Sequence, residues 1–234
     1  MKQYTQEEFD NFTRDEFGYL QCPSGDYRLI KIFPEMCSFG ERCSFGEECS
    51  FGKGCRFGKG CSFDWNCRFG MKCRFSMWCN FSCGCRFSEG CCFYGGCRFD
   101  RICHFGEYSV FYSGCRFSEG CSFGKCCTFG FGCDFGRGCS FGEVCSFGNG
   151  CTCEKGYKFK SLFVAGYLGS RGGQTYFWLL EDGNILVRCG CFCGMIDDFA
   201  KRVEEEHGDD VHGRMYRLAI EMARVKAGSL SLEG

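Results

Sequence analysis

Three kinds of side chain in this 234-residue chain could carry chemistry. There are 27 cysteines, enough for a disulfide framework, a metal site or a nucleophile. Histidine is scarce, so general-base work within residues 37–153 would fall on His104 alone. The third kind is arginine placed between a Cys and a Phe: Arg56, Arg68, Arg74, Arg86, Arg98 and Arg116. The same stretch carries Trp65, Met71, Met77, Trp78, Tyr94, Tyr108 and Tyr112. Arginine beside Trp and Tyr is the composition of protein-binding hot spots. Guanidinium groups also grip phosphate, and aromatic rings stack on bases. The bland alternative is a solvated surface with a few aromatics packed against flanking chain.

The thiols argue against secreted staples. Their number is odd, their spacing is regular, and the start "MKQYTQEEFDNFTRDEF" lacks the apolar core of a secretory signal. Reduced thiols in a cytoplasmic setting are expected. Cys189, Cys191 and Cys193 alternate, so as a strand they would share one face. With His207 and His212 they could hold zinc, but core packing is the simpler role for that spacing. "GSRGGQ" (169–174) lacks the Lys-Ser/Thr of a phosphate-binding loop and reads as a plain connection. No cofactor and no metal is expected. The run Glu204, Glu205, Glu206, Asp209 and Asp210 reads as a solvated helix end, or as a surface offered to a partner's Arg or Lys. A net charge of −1 exerts no global pull toward nucleic acid, and no stretch of 18 apolar residues exists to span a bilayer.

The elements that position these groups follow from one period. Phe recurs at every sixth position from 39 to 147, and Cys stands two residues earlier each time except at Ser109. Tyr27 and Phe33 fall on the same count. A period of six fits neither 3.6 nor 3.5, so helices are excluded. Strand side chains alternate, so Cys and Phe both point inward on a short strand. The Gly that often follows Phe then sits at a corner, where a positive φ is expected of it. Three strands and three corners close a triangular coil of eighteen residues. Stacked buried thiols act as small hydrophobes, and their parallel Cβ vectors suit a disulfide poorly.

The motif Cys-x-Phe-Gly-x-x resembles the hexapeptide repeat of left-handed parallel β-helices, with Phe in place of an aliphatic residue. The resemblance covers about 37–153 and implies a left-handed, mostly β structure of about six coils, roughly 30 Å long. Pentapeptide-repeat helices, with a similar inward pair but a period of five, are the runner-up. The expected organisation is an N-terminal cap (1–36), the β-helix (37–153) and a small α+β module (154–234). Within the cap, Pro23-Ser24-Gly25 suggests a hairpin-like turn. In the module, three strands with an Asp182-Gly183 hairpin are expected. They precede one helix ending at Gly208 and another whose apolar face is Met215, Leu218, Met222 and Val225.

Gly after Phe is replaced only between 64 and 118, by Asp64, Ser76, Ser82, Ser88, Tyr94, Asp100, Tyr112 and Ser118, and the residue between Cys and Phe changes from Ser to mainly Arg between 56 and 116. Counting by eighteen stacks Arg56 on Arg74, aligns Arg68, Arg86 and His104, and stacks Arg98 on Arg116 and Tyr94 on Tyr112. Hexapeptide acyltransferases use a His base beside loop insertions at a trimer interface, and these repeats have no insertion. A non-enzymatic interaction protein, monomeric or dimeric rather than trimeric, is the expectation. Overall the chain resembles Cys/Phe-rich repeat proteins of gut phages and prophages. That resemblance implies a bacterial cytoplasmic protein that blocks a host defence factor, for which a Cas nuclease with its guide RNA is the suspected partner. Its binding residues would be the Arg and aromatic positions above, His104, and the acidic Glu205, Asp209 and Asp210. Sequestration of a nucleotide signal, or acyl transfer on His104, are the alternatives.

Overall fold

The structure is a computed structural model that describes residues 1–153, 156–169 and 172–230. The chain divides into two compact units, Met1–Gly156 and Tyr157–Gly234.

The first unit is a parallel β-solenoid. Its strands form three sheets of eight, six and seven members, and each strand from Ile32 onward pairs in parallel with the one eighteen residues on, the first strand pairing seventeen residues on. The first face carries Ser38, Arg56, Arg74, Cys92, Val110, Thr128 and Ser146. The second carries Ser44, Ser62, Asn80, Arg98, Arg116 and Asp134. The third carries Ser50, Arg68, Arg86, His104, Ser122 and Ser140.

About seven turns form rather than six, because residues before the consensus already pair. Leu20–Cys22 pairs with Cys37–Phe39, and Ile32–Phe33 pairs with Ser50–Phe51. Pro23-Ser24-Gly25 lies on a coil instead of turning a hairpin; the antiparallel contact nearby is a lone bridge between Arg14 and Leu20. Above this coil, the short helix Gln6–Asp10 is held by a capping box between Thr5 and Glu8. Its Phe9 meets Phe33 edge-on at 5.4 Å, and Tyr4 stacks on Tyr27 at 5.0 Å, which closes the aromatic column.

Rings and thiols fill the interior. Phe75 lies 4.8 Å from Phe93 with planes 3° apart. It meets Phe81 of its own coil at 5.0 Å and 84°. Every coil therefore holds three rings edge to face, and every ring stacks on its equivalent above. The edge-to-face contacts are the favourable quadrupolar geometry, while the stacking distance is imposed by strand spacing. Most buried thiols donate to a corner carbonyl one coil back, as in Cys67 Sγ to Gly46 O (3.3 Å) and Cys121 Sγ to Asp100 O (3.4 Å), whereas Cys37 donates to Pro34 O at 3.3 Å within its own coil. The neighbouring Cys61 thiol and burial push the Cys43 thiol above its ordinary value. Ser109 replaces a Cys without loss of this satisfaction, donating to Gly106 O at 2.9 Å.

The corner chemistry differs from expectation. The positive φ falls three residues after Phe, not on the Gly that follows it, and Arg42, Lys72, Trp78, Ile102 and Val144 are among the residues that adopt it. Glycine after Phe answers close approach instead: a Cβ on Gly70 would stand 2.7 Å from Gly52 C.

The second unit is a four-stranded antiparallel sheet with two helices. Strands Phe159–Leu168, Gly173–Leu180, Ile185–Cys189 and Phe192–Met195 follow in order. Three strands were expected; the fourth arises because Gly190, at φ 57°, turns the chain back. That turn separates the cysteines: Cys189 pairs with Phe192 and Arg188 with Cys193, while Cys191 is exposed in the turn. Of "GSRGGQ", Ser170 and Arg171 lie outside the described residues. Helices Ile196–His207 and Val211–Leu230 follow. The second buries Tyr216, Ala219, Ile220 and Ala223 against Phe177, Val187, Phe199 and Val203. Its Met215, Leu218, Met222 and Val225 are exposed, contrary to the sequence reading. Among the described residues no helix is long and apolar enough to cross a membrane.

Val144, β-branched and almost fully exposed, sits at φ 59°. Val144→Gly should stabilise the solenoid by about 1 kcal/mol, because a branched side chain in the left-handed region costs about that much. Urea titration followed by far-UV circular dichroism measures the shift.

Candidate binding surface

Parallel register brings like charges together. Arg56 faces Arg74, Arg68 faces Arg86, and Arg98 faces Arg116. Like charges directly opposite one another destabilise a sheet by a few tenths of a kcal/mol. Among the described residues none of these six arginines forms an ion pair, although Arg56 lies over the Tyr19 ring at 3.8 Å. Elsewhere the outward rungs bond each other: His104 Nδ1 to Ser122 Oγ at 2.6 Å, Ser146 Oγ to Thr128 Oγ1 at 3.3 Å, and Thr152 Oγ1 to Asp134 Oδ1 at 2.6 Å. Among the described residues the Arg68–Arg86 and Arg98–Arg116 rungs make no such side-chain bonds.

One corner gathers four of the solenoid's exposed aromatics, whereas Trp65 and Tyr108 lie on the other two corners. The segments joining the first face to the second carry Met77, Trp78, Tyr94, Tyr112 and Phe131, all exposed. Tyr94 and Tyr112 stack at 4.8 Å with planes 1° apart. Lys59 Nζ sits 4.3 Å from the Trp78 ring centroid. The indole also covers Gly96, where a Cβ would collide with it. Arg74 borders this edge on the first face, and Arg98 and Arg116 border it on the second. Inserting a base between Tyr94 and Tyr112 would need a gap of about 6.8 Å, twice the stacking rise of about 3.4 Å. The pair therefore offers ring edges, hydroxyls and its two outer faces, toward Ser76 and Gly130 in the same column, but no gap between the rings.

The remaining candidates lie elsewhere. Trp65 belongs to the next corner, and Arg68, Arg86 and His104 to the third face. His104 has Arg86 and Ser122 as register neighbours; among the described residues no carboxylate bonds its ring to orient it as a base would require. Glu205, Asp209 and Asp210 lie in the second unit, where the acidic run has local partners. Arg217 bridges Glu204 and Asp209 at 2.9 Å each. Arg202 meets Glu206 at 2.7 Å, and Lys201 approaches Glu205 at 4.0 Å. Asp210 Oδ1 caps the following helix by accepting from Gly213 N at 2.7 Å, which holds its carboxyl below the usual range.

Two contributors to the edge escaped the sequence reading, Lys59 and Phe131. Both are two residues past a Phe, and counting by eighteen places them in the column of Met77. A match was sought among protein-family models, curated proteins and solved structures, and none was found.

Cys83, beside the ladder, donates to Asp100 Oδ2 at 3.2 Å, and that carboxylate raises its pKa. Because the thiolate is the nucleophile, Asp100→Asn should speed Cys83 alkylation at neutral pH several-fold and leave Cys191 unchanged. Peptide mapping after a short iodoacetamide pulse reads both sites.

Proposed function

We propose that this protein is a non-enzymatic binding protein whose aromatic corner and flanking arginines dock onto a partner. The observation that carries the reading is the coincidence of unpaired, like-charged Arg rungs with an exposed ridge of Trp78, Tyr94, Tyr112 and Phe131. Rigid aromatics lose little entropy on docking, and Arg beside them makes charge-assisted bonds to carboxylate or phosphate. Closed ring stacking favours a protein surface over intercalated bases as the apolar part of the contact. A nucleoprotein partner meets both demands, with acidic or phosphate groups for Arg74, Arg98 and Arg116 and apolar protein surface for the ridge. A host defence nuclease loaded with guide RNA is the instance to test first, and inhibition would follow from covering its nucleic-acid groove.

The test is capture of such a complex and measurement of its DNA cleavage with and without this protein. Arg74→Ala, Trp78→Ala and Arg98→Ala together should weaken binding by about a hundredfold or more. Arg86→Ala, on another face, should change it little. If the triple variant binds and inhibits like the parent, the ridge is not the docking site. Loss of a co-purified nucleotide instead would favour sequestration, and acyl transfer abolished by His104→Ala would favour an enzyme.

A further inference from the structure

The helix Val211–Leu230 exposes Val211 (55 %), Met215 (37 %), Leu218 (62 %), Met222 (58 %) and Val225 (67 %). Their spacing alternates four, three, four and three, which is the a/d seam of a coiled coil. The seam is separate from the surface that the helix already buries through Tyr216, Ala219, Ile220 and Ala223. We infer that this seam pairs in parallel with the same helix of a second copy of the chain.

Charge on the flanks selects the occupant and its direction. Taking Met215 and Met222 as a and Val211, Leu218 and Val225 as d, Glu221 falls at g and Lys226 at e. In a parallel pair, g of one helix meets the following e of the other, so Glu221 faces the partner copy's Lys226 twice by symmetry. Arg214, the other charged g position, faces Ala219 and meets no like charge. An antiparallel pair with Met215 against Val225 would set Glu221 beside its own mate, which is repulsive, and would leave Lys226 without a facing carboxylate. The other charges of the helix are already engaged: Arg217 with Glu204 and Asp209, and Arg224 with Asp197 at 2.6 Å. Glu221 and Lys226 form no ion pair among the described residues; Lys226 has only a loose contact with the Phe163 ring, at 6.0 Å. Because each helix is already folded on its own sheet, pairing does not have to nucleate it, and a seam this short can suffice.

Sedimentation equilibrium of the full chain over the micromolar range tests the inference. The expected mass is that of two chains. Leu218→Glu with Met222→Glu should give one chain with an unchanged far-UV spectrum, since both residues are exposed. Glu221→Lys should raise the dimer dissociation constant about tenfold. Adding Lys226→Glu to it should restore pairing. A monomeric parent, a mass of three or more chains, or failure of the double charge reversal to rescue overturns the inference. None of these outcomes depends on the proposed docking edge, whose variants lie in the other unit.

Discussion

Hydrogen bonding between parallel strands holds successive coils about 4.8 Å apart, and nearly everything else in the solenoid follows from that distance. A residue is translated onto its equivalent eighteen places later with almost no freedom to slip. Phe suits this because rings can stack at the coil spacing while meeting their in-coil neighbours edge to face. Cys suits it because it is small enough to stand beside three rings and can donate its proton to a corner carbonyl that would otherwise be buried without a partner. The regularity of the repeat is the consequence: one larger or unsatisfied residue would be felt by the coils on both sides.

The same translation acts outside, where it is a liability. It places Arg on Arg and Tyr on Tyr whether or not that helps the fold. Ser, Thr, His and Asp rungs convert the constraint into hydrogen bonds. The arginine rungs do not; two of the three, Arg56–Arg74 and Arg98–Arg116, border the aromatic corner, and the Arg68–Arg86 rung lies on the third face. The closed stack of Tyr94 and Tyr112 limits what could dock at that corner, since a base cannot enter between rings set by strand spacing.

Much of this was legible in the residues. A period of six with inward Cys and Phe determined the coil, the rung partners and the stacking of Tyr94 on Tyr112, because a solenoid converts sequence separation directly into distance. The corner grouping was harder to see. Trp78 and Phe131 occupy different places within their repeats from Tyr94 and Tyr112, so the four are seen to share one corner only once its path is drawn. The role of Gly after Phe was misjudged for a similar reason: its tightness comes from the coil beneath, which local φ preference does not reveal.

The ordinary sequence after 156 divides differently. Caps, turn glycines and apolar periodicity located both helices, since these depend on neighbours within a few residues. The fourth strand and the buried side of the last helix depended on tertiary contacts. That helix has two apolar stripes, one of Tyr, Ile and Ala and one of Met, Leu and Val, and hydrophobicity alone favours the second. Packing chose the first, because small Ala residues let the helix lie close to the sheet and to its neighbour helix. Thus the sequence by itself determined the coils with their inward face and the positions of the helices, where distance along the chain sets geometry; only the tertiary structure decided which face of the last helix was buried and added the fourth strand, because those depend on surfaces brought together from far apart.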